Sequence, residues 1–286
     1  MKPLRTLGTL AVTAAAAVGM ASSASAAPTG IHAEFKHCPY TNVNVSQCIN
    51  SVINGGEIKL GNSAVPIPSS KKIVLQGGVI QDGTTSTWVD AVGADTLSKT
   101  PLDVPGGLIS TVSSNWFFGP LLDAFNWAIS FANGVTATAE KAGPVQFSFG
   151  NLLFASGTAI ELPVRVKLNN AFLGNNCYVG TTANPVRFRL TTGTTTQAPT
   201  LTGSPGTLGF SDDFSVTYVS GLSLVDSAFT APKAENCGST VLDRWLVTLA
   251  VNAKIGLPAT AGQSRAIMNG KASVGGADAV RASAGL

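Results

Sequence analysis

The stretch from Ile160 to Leu168 limits the fold of this chain more than any other. Ile160, Leu162, Val164, Val166 and Leu168 fall on one face of an extended segment, while Glu161, Arg165 and Lys167 fall on the other. A period of two fits a strand with one face in a core and one in water; a helix would scatter those residues. Pro163 lacks an N–H, so the pattern places this strand at an edge or a bulge. Val186, Phe188 and Leu190 alternate with Arg187 and Arg189 in the same way, and Phe214, Val216 and Tyr218 alternate with Ser215 and Thr217. Shorter candidates lie at 57–60, 72–76, 87–92 and 145–149, with Gly, Asn and Pro between them. One-sided alternation belongs to antiparallel sheets.

Two stretches carry the helical period instead. From 120 to 133, polar Asp123, Asn126, Ser130 and Asn133 recur at spacings of three and four. Leu121, Leu122, Phe125, Ile129 and Ala132 take the opposite face, with Pro120 tolerated in the first turn. From 239 to 255 the apolar set is Leu242, Trp245, Leu246, Leu249 and Ala253. Ser239 or Thr240 caps its start, and Gly256 with Pro258 ends it. The expected fold class is mainly β, an antiparallel sandwich or barrel-like body with about two amphipathic helices.

The first 26 residues read as a cleavable secretory signal. Lys2 and Arg5 form a positive start, and an uncharged, Ala-rich stretch runs from Leu7 to Met20. Ala24-Ser25-Ala26 offers a small-x-small cleavage site. The apolar stretch is too short and too alanine-rich for an anchor. Removing Lys2 and Arg5 leaves 16 basic against 15 acidic residues, so the mature chain is nearly neutral. Such a chain has no global field to recruit nucleic acid, and no nucleic-acid partner is expected.

Export also sets the chemistry of Cys38, Cys48, Cys177 and Cys237. An even count in an oxidising compartment points to two disulfides, with three possible connectivities. Neighbouring Cys38 and Cys48 are paired with each other, and Cys177 with Cys237. The chain-entropy model gives such loops roughly 3 and 4 kcal/mol. A zinc site lacks any C-x-x-C, so no metal is expected. The organisation follows: 1–26 signal, 27–113 an N-terminal β segment that could form a subdomain, 114–135 an aromatic helical segment, 136–270 the main β domain with its helix, and 271–286 a small-residue tail. The uncharged, low-complexity stretch 191–206 would sit inside the second disulfide loop, and so reads as a surface loop.

Catalytic groups are sparse. The mature chain has two histidines, His32 and His37, and no G-x-S-x-G elbow to receive either. Ser69-Ser70-Lys71-Lys72 matches S-x-x-K without its companion motifs. Glu161, Asp212, Asp213 and Asp226 are the carboxylates on offer for a glycosidase pair, and their spacing singles out no two of them. No cofactor is expected. Leu257-Pro258-Ala259-Thr260-Ala261 is similar to a sorting signal, but the polar, mixed-charge stretch after it lacks the apolar span such a signal requires.

Two groups are candidates for binding. Arg165, Lys167, Arg187 and Arg189 would form a basic patch if their strands pair, suited to an anionic wall polymer, although the solvated face of a sheet is the favoured reading. Trp116 and Trp127, with Phe117, Phe118, Phe125 and Phe131, could stack on sugars or enter lipid, although packing against the sheet is favoured.

Several phrases carry a resemblance: FKHCPYTN, GGEIKLGNSAVPIP with KKIVLQGG, LPVRVKLNNAFLGNNCYVG with NPVRFRLTTGTTT, SAFTAPKAENCG, and NAKIGLPATAGQSRAIMNG. Over 37–271 the chain resembles an uncharacterised family of secreted actinobacterial proteins. That likeness implies export and structural cysteines, and it transfers no active site. The expectation is a secreted or cell-surface protein without catalysis, contacting wall polymer, envelope lipid or another protein, with no transmembrane span in the mature chain. A secreted carboxylate-dependent glycan hydrolase and an apolar-ligand carrier are the alternatives.

Overall fold

The computed structural model describes residues 26–83, 85–107 and 134–286. The expected helix at 120–133 and the aromatic residues Trp116 and Trp127 lie outside the described residues.

After a 3₁₀ turn at Gly30–Phe35, the chain forms β1 (Gln47–Leu60), β2 (Ser63–Pro66), β3 (Ile73–Asp82) and β4 (Thr85–Asp90). A second series follows: β5 (Leu102–Asp103), β6 (Thr136–Lys141) and β7 (Gln146–Phe147), then helix α1 (Phe149–Phe154). Next come β8 (Ile160–Asn169), β9 (Tyr178–Val179) and β10 (Val186–Leu190). The chain continues through β11 (Thr207–Phe210), β12 (Val216–Asp226) and β13 (Ala234–Glu235). Helix α2 (Arg244–Ile255), β14 (Arg265–Gly276) and helix α3 (Ala277–Ser283) complete it.

The strands make two antiparallel sheets. One runs β11-β12-β14-β1-β3-β4, with β2 on β1; the other runs β13-β9-β8-β6-β5, with β7 and β10 also on β8. Their inner faces share one apolar core, from Ile49, Leu75 and Val79 on the first sheet to Leu162, Val164 and Phe188 on the second. The body is a sandwich and does not close into a barrel.

β8 buries its apolar face as its period requires, but it is central and not an edge. β10 and β9 pair along one side, β6 and β7 along the other. Pro163 is tolerated because β6 ends opposite Val164 and β7 begins opposite Glu161. The Pro163 carbonyl accepts the Ala142 N–H at 2.9 Å. The missing N–H projects to that same side, into the break between the two partner strands.

Strand pairing cuts across the segments drawn from the sequence. β1 pairs with β14 from Gln47 opposite Gly276 to Lys59 opposite Arg265, so the 27–113 segment shares a sheet with the chain's last strand. Residues 271–286, the small-residue tail, end β14 and form α3. A smaller core of Phe35, Tyr40, Val45, Val216, Val280 and the Cys38–Cys48 disulfide joins the two ends of the described chain. Arg281 reinforces it by donating to the Tyr40 carbonyl at 2.9 Å.

A glycine allows the closest approach of β1 to β14. Gly56 has φ +105°, and a Cβ there would lie 1.9 Å from the Ile267 carbonyl oxygen. It follows the register shift between Ile53 and Gly55, where the extra residue bends the strand. The Thr191–Gly206 loop is pinned to β12 by bridges from Thr191 to Val225 and from Ser204 to Ser223. The run expected at 214–218 starts late: Phe214 has φ +55°, is 77% exposed, and belongs to the turn before β12.

Candidate functional site

The helix at the C-terminal side is where sequence and structure part most. α2 begins at Arg244, with Asp243 at its N-cap. Thr240 forms a reciprocal turn with Asp243 just before it: the Thr240 N–H donates to Asp243 Oδ1 at 2.8 Å, and the Asp243 N–H to Thr240 Oγ1 at 3.3 Å. Gly256 ends the helix in the left-handed conformation, as expected.

The face buried is the opposite of the one expected. Val247, Val251 and Ile255 pack inward, whereas Leu242, Trp245 and Leu249 are 87%, 68% and 58% exposed. The helix is apolar on two faces, and its β-branched face took the core.

Side-chain bonds hold it in that rotation. Asn252 Oδ1 accepts the Ala234 N–H at 2.7 Å, and Asn252 Nδ2 donates to the Ala234 carbonyl at 3.0 Å. Thr248 Oγ1 accepts the Cys237 N–H and donates to the Cys237 carbonyl, both at 3.1 Å. Cys237 is in turn bonded to Cys177 beside β9. Both disulfides are as paired from the sequence. The clamp fixes α2 against β13, so the helix cannot roll to hide its outer face.

Beside that face lies an open groove of about 650 Å³, walled by 233–236 and by Arg244, Trp245, Thr248 and Leu249. Of its polar lining, Thr248 and Asn252 are used in the clamp, and Arg244 is not. Among the described residues, Arg165, Arg187, Arg189, Arg265 and Arg281 each meet a carboxylate. The Arg244 side chain meets none, and its Nε is buried without a hydrogen-bond partner. Lys233 and Glu235 are exposed on the facing segment.

The basic patch expected from the sequence has a different character. Its strands do pair, with Arg187 opposite Pro163 and Arg189 opposite Glu161, but carboxylates interleave with the cations. Arg165 donates to Glu140 Oε2 through Nε at 2.9 Å and Nη2 at 2.7 Å, and it lies 4.4 Å from the Tyr178 ring centroid. Arg187 and Arg189 share Glu161 at 3.5 and 3.6 Å. Lys167 stands opposite Thr138 and Tyr178 on the same sheet.

The segment bearing His32 does fold back over a serine. His32 Nε2 lies 3.0 Å from Ser215 Oγ, and Ser215 Oγ donates to Asp213 Oδ1 at 2.7 Å. The order is wrong for a hydrolase, because the carboxylate takes the serine proton directly and leaves the imidazole to donate. Ser211 donates to the same Asp213 oxygen at 2.6 Å. These bonds, Ser211 first, hold the Asp213 carboxyl down to about 2. Asp226 is 2% exposed, and burial pushes its carboxyl up against the pull of the Arg189 and Ala228 N–H groups. Asp212 sits in the exposed turn. Each of Glu161, Asp213 and Asp226 is thus committed to a local structural bond. His37 Nδ1 lies 3.2 Å from the Val92 carbonyl oxygen, and Ser69 is in an exposed turn. Leu257 and Ala259 of the sorting-like stretch are buried.

Between the sheets, three small cavities hold about 10 to 30 Å³ each, the size of a single water. The described residues contain no group of three or more His, Cys, Asp or Glu that could hold a metal, and no described helix is long and apolar enough to cross a membrane. Comparison with known proteins found no matching family model, no matching curated protein and no matching solved structure.

Sequence reasoning missed Arg244, Lys233 and Glu235. A signal was present: α2 carries a second apolar stripe, Val247, Val251 and Ile255, at spacing four. Two stripes on one helix mean that one of them faces out unless the helix is buried all round.

Proposed function

We infer that this is an exported protein acting at the cell envelope by contact and not by catalysis, with the outer face of α2 as its contact surface. The observation that carries the reading is the exposure of Trp245 and Leu249 on a helix that side-chain bonds and a disulfide lock in place, with Leu242 exposed in the turn just before it. Contiguous exposed apolar side chains rimmed by polar groups mark interaction sites. The two disulfides are compatible with an oxidising compartment, and the secretory signal read at 1–26 supplies the route. The likeness to secreted actinobacterial proteins supports the same address. A glycan hydrolase would need two carboxyls converging in a cleft; the groove beside α2 is lined by one carboxylate, Glu235. An apolar-ligand carrier would need more room than any of the three cavities between the sheets provides.

Co-sedimentation of the chain with purified wall polysaccharide and with envelope-lipid vesicles tests the reading. Retention on at least one, lost in a Leu242→Ser, Trp245→Ala, Leu249→Ser variant that keeps its fold, is expected. Retention that ignores those substitutions, or none on either material, contradicts it.

A further inference from the structure

We propose that the groove between α2 and 233–236 is a binding site for an anionic glycan, with sugar rings against Trp245 and the acidic group on Arg244. The proposal rests on the contact surface inferred above and gives it a ligand class. Three observations converge on it. The indole of Trp245 stands largely in solvent at the wall of a groove of about 650 Å³, a flat apolar surface of the kind that stacks on a sugar ring. Arg244 lines the same groove and is the described arginine that no described carboxylate engages, with its Nε left lacking an acceptor. A buried donor without a partner calls for an explanation, and a planar guanidinium matches a carboxylate or phosphate through two parallel bonds.

Charge selects the sign of the ligand. Lys233 and Arg244 face the groove against Glu235, so its walls carry a net positive charge. Elsewhere the fold neutralises its arginines with its own carboxylates, whereas here it leaves one for an outside partner. A bilayer is the rival occupant, since exposed Leu242 and Trp245 beside cations also suit a lipid surface, and the vesicle competition separates the two. The glycan's hydroxyls have Asn236 and Glu235 along the groove to exchange hydrogen bonds with. Glu235 opposes the acid and tempers the affinity.

The test is fluorescence anisotropy of a labelled hyaluronan hexasaccharide, which carries glucuronate, titrated with the oxidised full chain. The neutral N-acetylglucosamine hexamer and anionic phosphatidylglycerol vesicles serve as competitors. The acidic sugar should bind at least about tenfold more tightly than the neutral one, a gap of the size one good charged contact supplies. Arg244→Gln should erase that preference, and Trp245→Ala should weaken both sugars, with Trp245→Phe recovering part of the loss. Glu235→Gln should tighten the acidic sugar, an effect that damage to the fold would not produce. Arg187→Gln with Arg189→Gln should change nothing. Equal binding of the two sugars, indifference to Arg244→Gln, displacement by vesicles in preference to sugar, or no sugar binding at all would overturn the proposal. If sedimentation with wall material or vesicles still depends on the α2 face, the contact reading stands and the glycan assignment alone falls. If it does not, both fall.

Discussion

Two regions of this molecule present arginines, and they differ in what the fold has done with them. On the outer face of the β8 sheet, Arg165, Arg187 and Arg189 lie where alternation places them, each against Glu140 or Glu161. At α2, Arg244 has no carboxylate of its own, and its neighbours Trp245 and Leu249 are in solvent. A count of charges marks the first region as the binding face, whereas the pairing of those charges marks the second. Basic residues on strands come with acidic cross-strand neighbours that stabilise the sheet. An unpaired cation beside exposed apolar groups has no such internal purpose.

The contrast can be broken at several points. The largest effect is expected from Cys177→Ser with Cys237→Ser, which opens a loop of 60 residues. Loss of about 4 kcal/mol, read as the chemical-unfolding midpoint, should accompany weaker glycan binding, while the ion pairs on the β8 sheet persist. Next in size is the difference between the two faces of α2. Val251→Ala removes buried methyls and should cost about 2 kcal/mol. Trp245→Ala on the outer face should change stability by less than about 0.5 kcal/mol. Equal losses would mean that the outer face is packed after all.

Glu140→Gln sharpens the comparison from the other side. It should cost about 1 kcal/mol, since the pair is only partly buried. It also frees Arg165, so the β8 face should gain retention on an anionic resin that the parent chain lacks there. The smallest effect lies at the turn before β12. Because the Asp213 carboxyl is held down to about 2 in the fold, its contribution to stability is complete above the ordinary carboxylate range and fades as pH falls through about 2. Asp213→Asn should flatten that acid limb of a urea-midpoint profile. Asp226 works with the opposite sign: burial raises its carboxyl, so ionisation opposes the fold and stability declines as pH climbs past the ordinary carboxylate range. Asp226→Asn should remove that decline.

The sequence made one sheet legible and hid much of the other. β8 and β10 have one face on the core and one in water, so their alternation is plain. β14 has Gly270, Gly275 and Gly276 in it and buries Ala272, Ser273 and Val274 in succession, so neither period nor β-branched content announces a strand. β1 is interrupted at Gly55 and Gly56 by a register shift, which hid all but its last residues. The disulfides followed from compartment and spacing. The rotation of α2 did not, because Leu and Trp outweigh Val and Ile in a count of apolar bulk. What decides the rotation is the bonding of Thr248 and Asn252 to Cys237 and Ala234, and those partners lie on a different segment. Arg244 was missed for a related reason: whether an arginine is paired is a tertiary fact.

Among the described residues Arg244 is the arginine that meets no carboxylate, and it is the one expected to meet the ligand. Arginine Nε–H resonances in a ¹H–¹⁵N spectrum, assigned by single Arg→Gln substitutions and titrated with the hyaluronan hexasaccharide, read that contact directly. The Arg244 signal should move downfield and saturate while those of Arg165, Arg187 and Arg189 stay in place. Movement of the β8-sheet arginines with Arg244 unmoved would contradict it.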